Sequence, residues 1–172
     1  NYAITQGTLN AGANYNLGYT PGTLAVTPAT LVVTASTQST VYGTAIANLG
    51  STAFTTTGLV NGDVVTAATL KYAGSESVAA NVNAGTYAAS IVASAAVGTN
   101  LSNYSLSYVG GNLVVTQAPV SIVAAAQSMT YSDSALPALT YSATGLKNGD
   151  SLSGALTTAA TPYSGAAGSA SD

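Results

Sequence analysis

The sequence predicts an all-β fold of tandem Ig-like, sandwich-type units strung into an elongated rod, and three observations carry that prediction. Apolar and polar residues alternate with a period of two in short runs, Gly- and Asn-rich signals punctuate the runs, and the pattern recurs at an offset near 89 residues.

The repeat organises everything else. GTLAVTPATLVVTA at 22–35 returns as GNLVVTQAPVSIVA at 111–124, NYNLGY at 14–19 as NYSLSY at 103–108, and VYG at 41–43 as TYS at 130–132, each offset by 89. GLVNGD at 58–63 returns as GLKNGD at 145–150, offset by 87, and NYAIT at 1–5 resembles TYAAS at 86–90. The chain therefore divides into the closing strands of one unit (1–27), a complete unit (28–117) and the opening part of another (118–172). It reads as a piece cut out of phase from something longer.

Within the complete unit, strands are expected at 30–36, 51–57, 65–72, 85–94, 103–108 and 112–117, six or seven in all. In GTYAASIVAS the residues Tyr87, Ala89, Ile91 and Ala93 fall on one face. NYSLSYVGGNLVVT reads as a hairpin around Gly110-Gly111, a pair suited to a turn with positive φ. Alanine in 92–100 would allow a short helix, which keeps a β-grasp-like (α+β) unit as the alternative. Successive units meet through Thr27-Pro28-Ala29, where proline ends strand pairing without adding slack. Each unit should add on the order of 30–40 Å of length.

Composition excludes several functions. Only 4% of residues are charged, against roughly 25% in an average domain. Two lysines, Lys71 and Lys147, cannot make a phosphate-binding patch, so no nucleic-acid partner is expected. No apolar run approaches the ~20 residues of a membrane span, and no signal-peptide pattern opens the chain. With no histidine and no cysteine, the usual nucleophile–base pairs are missing. No catalytic residue and no cofactor are expected.

The candidate sites are correspondingly few. Asn61-Gly62-Asp63 and Asn148-Gly149-Asp150 read as structural turns, each acid accepting backbone N–H bonds across its turn. Asp63 and Asp150 are weak metal candidates, because calcium takes six to eight oxygens and each unit offers one acid there, with Glu76 and Asp133 more distant. Asp63 with Glu76 is the local candidate for a carboxylate pair. Asn100 and Asn103 head N-x-S sequons and are possible glycosylation sites. Lys71 is a candidate for a lysine–asparagine crosslink, against the plainer reading of an exposed edge-strand lysine; Lys147 is expected to be solvated. Tyr2/Tyr87, Tyr15/Tyr104, Tyr19/Tyr108 and Tyr42/Tyr131 recur and suggest core or corner positions with the hydroxyl on backbone. Tyr72, Tyr141 and Tyr163 are the candidates for exposed contacts, including surface glycans.

VYG, TYSD, GLVNGD, GLKNGD, NAGTY, NYSLSY and GNLVVT together resemble the MBG/YDG-type repeats that stand in tandem in large secreted bacterial adhesins. The resemblance spans the whole chain. It implies an extracellular or cell-surface location and a non-catalytic stalk in an adhesin or biofilm-matrix protein. The expected partners are neighbouring repeats; the odd phase of the terminal units adds the alternative of identical chains joined head to tail by strand complementation between those units. A carbohydrate-binding module is the remaining alternative.

Overall fold

The computed structural model describes residues 1–131 and 133–162. It contains β1 (Tyr2–Ile4), β2 (Gly22–Leu24), β3 (Ala29–Ala35), β4 (Gln38–Val41), β5 (Phe54–Thr57), β6 (Val65–Tyr72), β7 (Gly85–Gly98), β8 (Tyr104–Val109), β9 (Gly111–Thr116), β10 (Ser121–Ala124) and β11 (Tyr141–Thr144). The fold is all-β, and a 3-10 turn at Leu101–Asn103 is the one helical element among the described residues.

Strands β3 to β9 make a sandwich. One sheet has the order β5-β3-β8 and the other β4-β9-β7-β6. Alternation chooses the inner faces: Leu31, Val33 and Ala35 point inward from β3, Ala68 and Leu70 from β6, Ile91 and Ala93 from β7, and Leu113 and Val115 from β9. Tyr104 joins them from β8, and Leu49 and Val78 close the core from the loops. Each fully buried aliphatic side chain contributes about 1.5–3 kcal/mol.

The expected hairpin at 103–117 is not formed. β8 pairs in parallel with β3, whereas β9 pairs in parallel with β4 and antiparallel with β7. The chain at Gly110-Gly111 crosses between sheets, and neither glycine has positive φ. Closeness is what requires them. A Cβ on Gly111 would stand 2.4 Å from the carbonyl oxygen of Ala35 and 2.6 Å from that of Ser36, and one on Gly110 would stand 2.6 Å from that of Ala89.

The short-helix alternative also falls, and the β-grasp-like unit with it, because residues 92–98 continue β7. The strand stays extended by bulging: Ala89 and Ala95 take φ of 50° and 48°, and the β7–β9 register shifts between Tyr87 and Ile91. Ala89 is thereby turned out to solvent, away from the face shared by Tyr87, Ile91 and Ala93. Its N–H donates to Asn112 Oδ1 at 3.0 Å. The strand expected at 51–57 is limited to Phe54–Thr57, and the short polar β4 carried no pattern from which to expect it.

The terminal segments reuse the registers of the central one. Tyr2 opposes Leu24 in β1–β2 as Tyr87 opposes Leu113 in β7–β9. Ala124 opposes Tyr141 in β10–β11 as Ala35 opposes Phe54 in β3–β5.

Urea denaturation should rank three substitutions. Leu113→Ala empties a fully buried site and should cost about 2–5 kcal/mol. Gly111→Ala drives a methyl into two carbonyls and should cost about 1–3 kcal/mol. Gly18→Ala, with open space around it, should stay within about 0.5 kcal/mol of the parent. A neutral Gly111→Ala would contradict the crossing as described.

Candidate functional site

The Asn-Gly-Asp segments are tight turns. Asn61 and Gly62 take φ of 57° and 76°, and the Asp63 N–H donates to Val60 O at 3.0 Å. Asn148 and Gly149 take φ of 52° and 82°, and the Asp150 N–H donates to Lys147 O at 2.8 Å. Two successive positive φ angles give the turn hand that suits Asn-Gly.

The Asp63 carboxylate has partners that the sequence reading missed. Instead of backbone N–H groups it accepts side-chain donors: Tyr104 Oη at 2.8 Å, Asn100 Nδ2 at 2.7 Å and Thr99 Oγ1 at 3.3 Å. The Tyr104 hydroxyl also accepts the Val60 N–H at 3.0 Å and lies 3.1 Å from Val60 O. A core tyrosine and a turn acid therefore lock GLVNGD onto the start of β8. The Tyr104 hydroxyl, then the Asn100 amide and the Thr99 hydroxyl, hold Asp63 below the usual aspartate range, against a smaller upward push from desolvation. The bond with the Val60 backbone pulls the Tyr104 phenol down, but burial and the Asp63 carboxylate outweigh it and raise the phenol above its ordinary value.

Three side-chain donors thus share the two oxygens of this carboxylate, two on Oδ1 and one on Oδ2. Among the described residues no group of three or more acids or other ligand types gathers to hold a metal. Asp63 lines a cleft with Val60, Asn61 and Tyr104, whereas Glu76 lines a different one with Asn48, Leu70 and Val97. Asp150 lines a cleft of about 500 Å³ with Tyr42, Asn83, Ala84, Leu146 and Lys147. Asn100 turns its amide nitrogen to Asp63, while Asn103 is exposed beside Thr27 and Pro28. Lys71 is exposed on β6, the edge strand of its sheet, which leaves the crosslink without a buried setting.

The tyrosines divide by partner. Tyr87 Oη donates to Asn83 O at 2.9 Å and Tyr108 Oη accepts the Ala96 N–H at 3.0 Å. Tyr72, expected as an exposed contact, instead packs against the core, edge-on to Tyr87 with ring centroids 6.1 Å apart. The period-2 pattern of β6 could have placed it there. Tyr141 is exposed; Tyr163 and Ser132 lie outside the described residues.

The geometry defines a class: an all-β sandwich repeat whose polar centre is a structural lock. Residues 31–114 and 120–171 each match the family described as MBG domain (YGX type), and the chain belongs to that family. Tyr42-Gly43-Thr44 reads as its Tyr-Gly-X. No curated protein and no solved structure matches the chain. Among the described residues no helix is long and apolar enough to cross a membrane.

The lock sets the pH response. A lowered folded pKa means that Asp63 stabilises the fold fully above the unfolded aspartate value and loses that contribution as pH falls through the folded value. With no histidine to titrate, stability should be level from pH 4.5 to 8 and decline below about pH 4. Asp63→Asn should lower the plateau and shrink the acid decline in denaturation curves taken at fixed pH. An acid decline of unchanged size in that variant would remove Asp63 as its source.

Proposed function

We propose that the chain is a non-catalytic stalk segment of a bacterial cell-surface or secreted adhesin or biofilm-matrix protein. The observation that carries this reading is the direction of the strands where the central sandwich is entered and left. Tension along the chain pulls β3 and β4 toward the N-terminus and β8 and β9 toward the C-terminus. β4 lies parallel to β9 over four residue pairs, and β3 lies parallel to β8 over six. Opposed forces on parallel neighbours slide them past one another, so the ladder bonds must fail together and not in sequence. Membership of the MBG family and its two tandem matches support the same reading. An extracellular location follows from it, as does the absence of a catalytic role.

Single-molecule pulling between the two termini tests it. The expected trace has a discrete force peak followed by a length gain of roughly 270 Å, the extended span of about 90 residues at ~3.4 Å each less the ~30–40 Å of the folded unit. Smooth extension without a peak would overturn the stalk reading.

The matching terminal registers favour a second reading. Residues 1–27 carry the pairing of β7–β9, and residues 118–172 carry that of β3–β5. Residues 1–27 of one copy could therefore complete 118–172 of another by strand addition, building an open head-to-tail filament. Sedimentation velocity should then show growth with concentration; a monomer at every concentration would remove this reading.

A further inference from the structure

We propose that the Gly-Leu-x-Asn-Gly-Asp turn is a key that seats in the Tyr-Gly end of the preceding unit and fixes the angle between neighbours. The proposal rests on the stalk reading and assigns it a joint. The contact is made between residues 145–150 and the far end of the central sandwich. Asn148 Nδ2 donates to Ala80 O at 3.1 Å, and the same carbonyl accepts the Gly43 N–H at 2.9 Å. Both lone pairs of one backbone oxygen are thereby used, one within the unit and one across the joint.

The lysine stem occupies the space beside Gly43. A Cβ built there would fall 2.4 to 2.8 Å from Cβ, Cγ and Cδ of Lys147, and Gly43 also takes a φ of 86°. Glycine is thus required twice at this position, for the backbone and for the neighbour. Tyr42 anchors the receiving end: it packs against the core, and its N–H donates to Thr116 O at 2.9 Å in the strand that leads into the joint.

The turn is aimed by its own unit. Gly145 lies against the Pro119 carbonyl, where a Cβ would approach to 2.3 Å, and Gly58 lies in the same way against the Thr30 carbonyl, at 2.1 Å. Both turns are therefore set on the first strand of their units at equivalent places. The third residue, Val60 or Lys147, and the asparagine after it stand exposed at the tip, so the key touches the preceding unit through the Asn148 amide and the Lys147 stem without being buried there. The occupant of the Tyr-Gly end is the tip of the next unit. Lys147 contributes an aliphatic stem rather than a charge pair, which suits a joint in a chain with so few ions.

The full chain allows a clean test, because it has no cysteine of its own. Spin labels go on cysteines replacing Thr55 and Ser142, exposed and equivalent positions on β5 and β11, and pulsed electron paramagnetic resonance reads the distance distribution across the joint. The parent should give a single narrow distribution. Lys147→Ala with Asn148→Gly, which keeps a residue tolerant of positive φ, should broaden it at least twofold. Gly43→Asn, on the receiving side, should broaden it as well. Val60→Ala with Asn61→Gly makes the same change in the other turn and should leave the width as it was. An unchanged width in the Lys147/Asn148 variant, or equal broadening from the Val60/Asn61 variant, would overturn the key. Loss of the force peak with the narrow distribution intact would instead strike the stalk reading alone.

Discussion

Two neighbouring strands change sheets at the same level, and they can do so only because Gly111 brings no side chain to the carbonyls of Ala35 and Ser36. β3 passes into β4 and β8 passes into β9 side by side, so each sheet receives one parallel pair. The crossing ties the sheets together covalently at two adjacent points. It also turns the inner faces of β3 and β9 toward each other, which is where Leu31, Val33, Leu113 and Val115 meet. The shear geometry and the core are two results of the same crossing.

A sandwich fastened in this way needs few charges. Among the described residues no polar or charged side chain is buried and no buried side-chain donor or acceptor lacks a partner. The polar surface is made of Ser, Thr and Asn, whose hydrogen bonds are insensitive to ionic strength, unlike exposed ion pairs. The lock between Asp63 and Tyr104 keeps one carboxylate where it does most: it joins a turn, the 3-10 segment and the start of β8 through three side-chain donors. Charge-assisted hydrogen bonds are roughly twice as strong as neutral ones, which suits a junction with only one such group.

The strands and the turns were legible in the sequence because both are local. β3, β6 and β9 follow from alternation, and the two Asn-Gly turns follow from the demand for positive φ. The sheet partners were not legible. NYSLSYVGGNLVVT has the local signs of a hairpin, and only the parallel passage of β3 and β4 beside it makes a crossing. A non-local carbonyl decided what the two glycines were for. The bulges in β7 were hidden for a similar reason, since Ala89 and Ala95 are ordinary strand alanines until Asn112 and the neighbouring strands fix their positive φ. At the site, an acid at the end of the turn was plain, but its partners lie 36 to 41 residues away. The repeated tyrosine at the head of NYSLSY was the available signal that something in the core reached back to it.

The terminal segments show how far local sequence carries a unit before packing takes over. Leu24 and Leu113 hold the same place in the same register, yet Leu24 is 54% exposed and Leu113 0%. Ile122 at 52% stands where Val33 is 0%, and Tyr15 at 74% where Tyr104 is 7%. The antiparallel pair still forms around Leu24 and around Ile122, because cross-strand contacts and backbone bonds need only two strands, whereas Tyr15 lies in no strand. Burial needs the second sheet, and the second sheet comes from residues that lie on the far side of the crossing. A two-stranded pair is marginal by itself in water, so the stable block is the span in which both sheets meet. Proline at the joint and the turn that reaches across it then act between the complete central sandwich and the strand pair that follows it. Pro28 and Pro119 each stand just before the first strand of a block, and after Pro119 the turn that follows that strand returns to the block just left. The order of motifs along the repeat, joint, first strand, Tyr-Gly, turn, brings each turn back beside the joint at which its block began, Gly58 against Thr30 and Gly145 against Pro119.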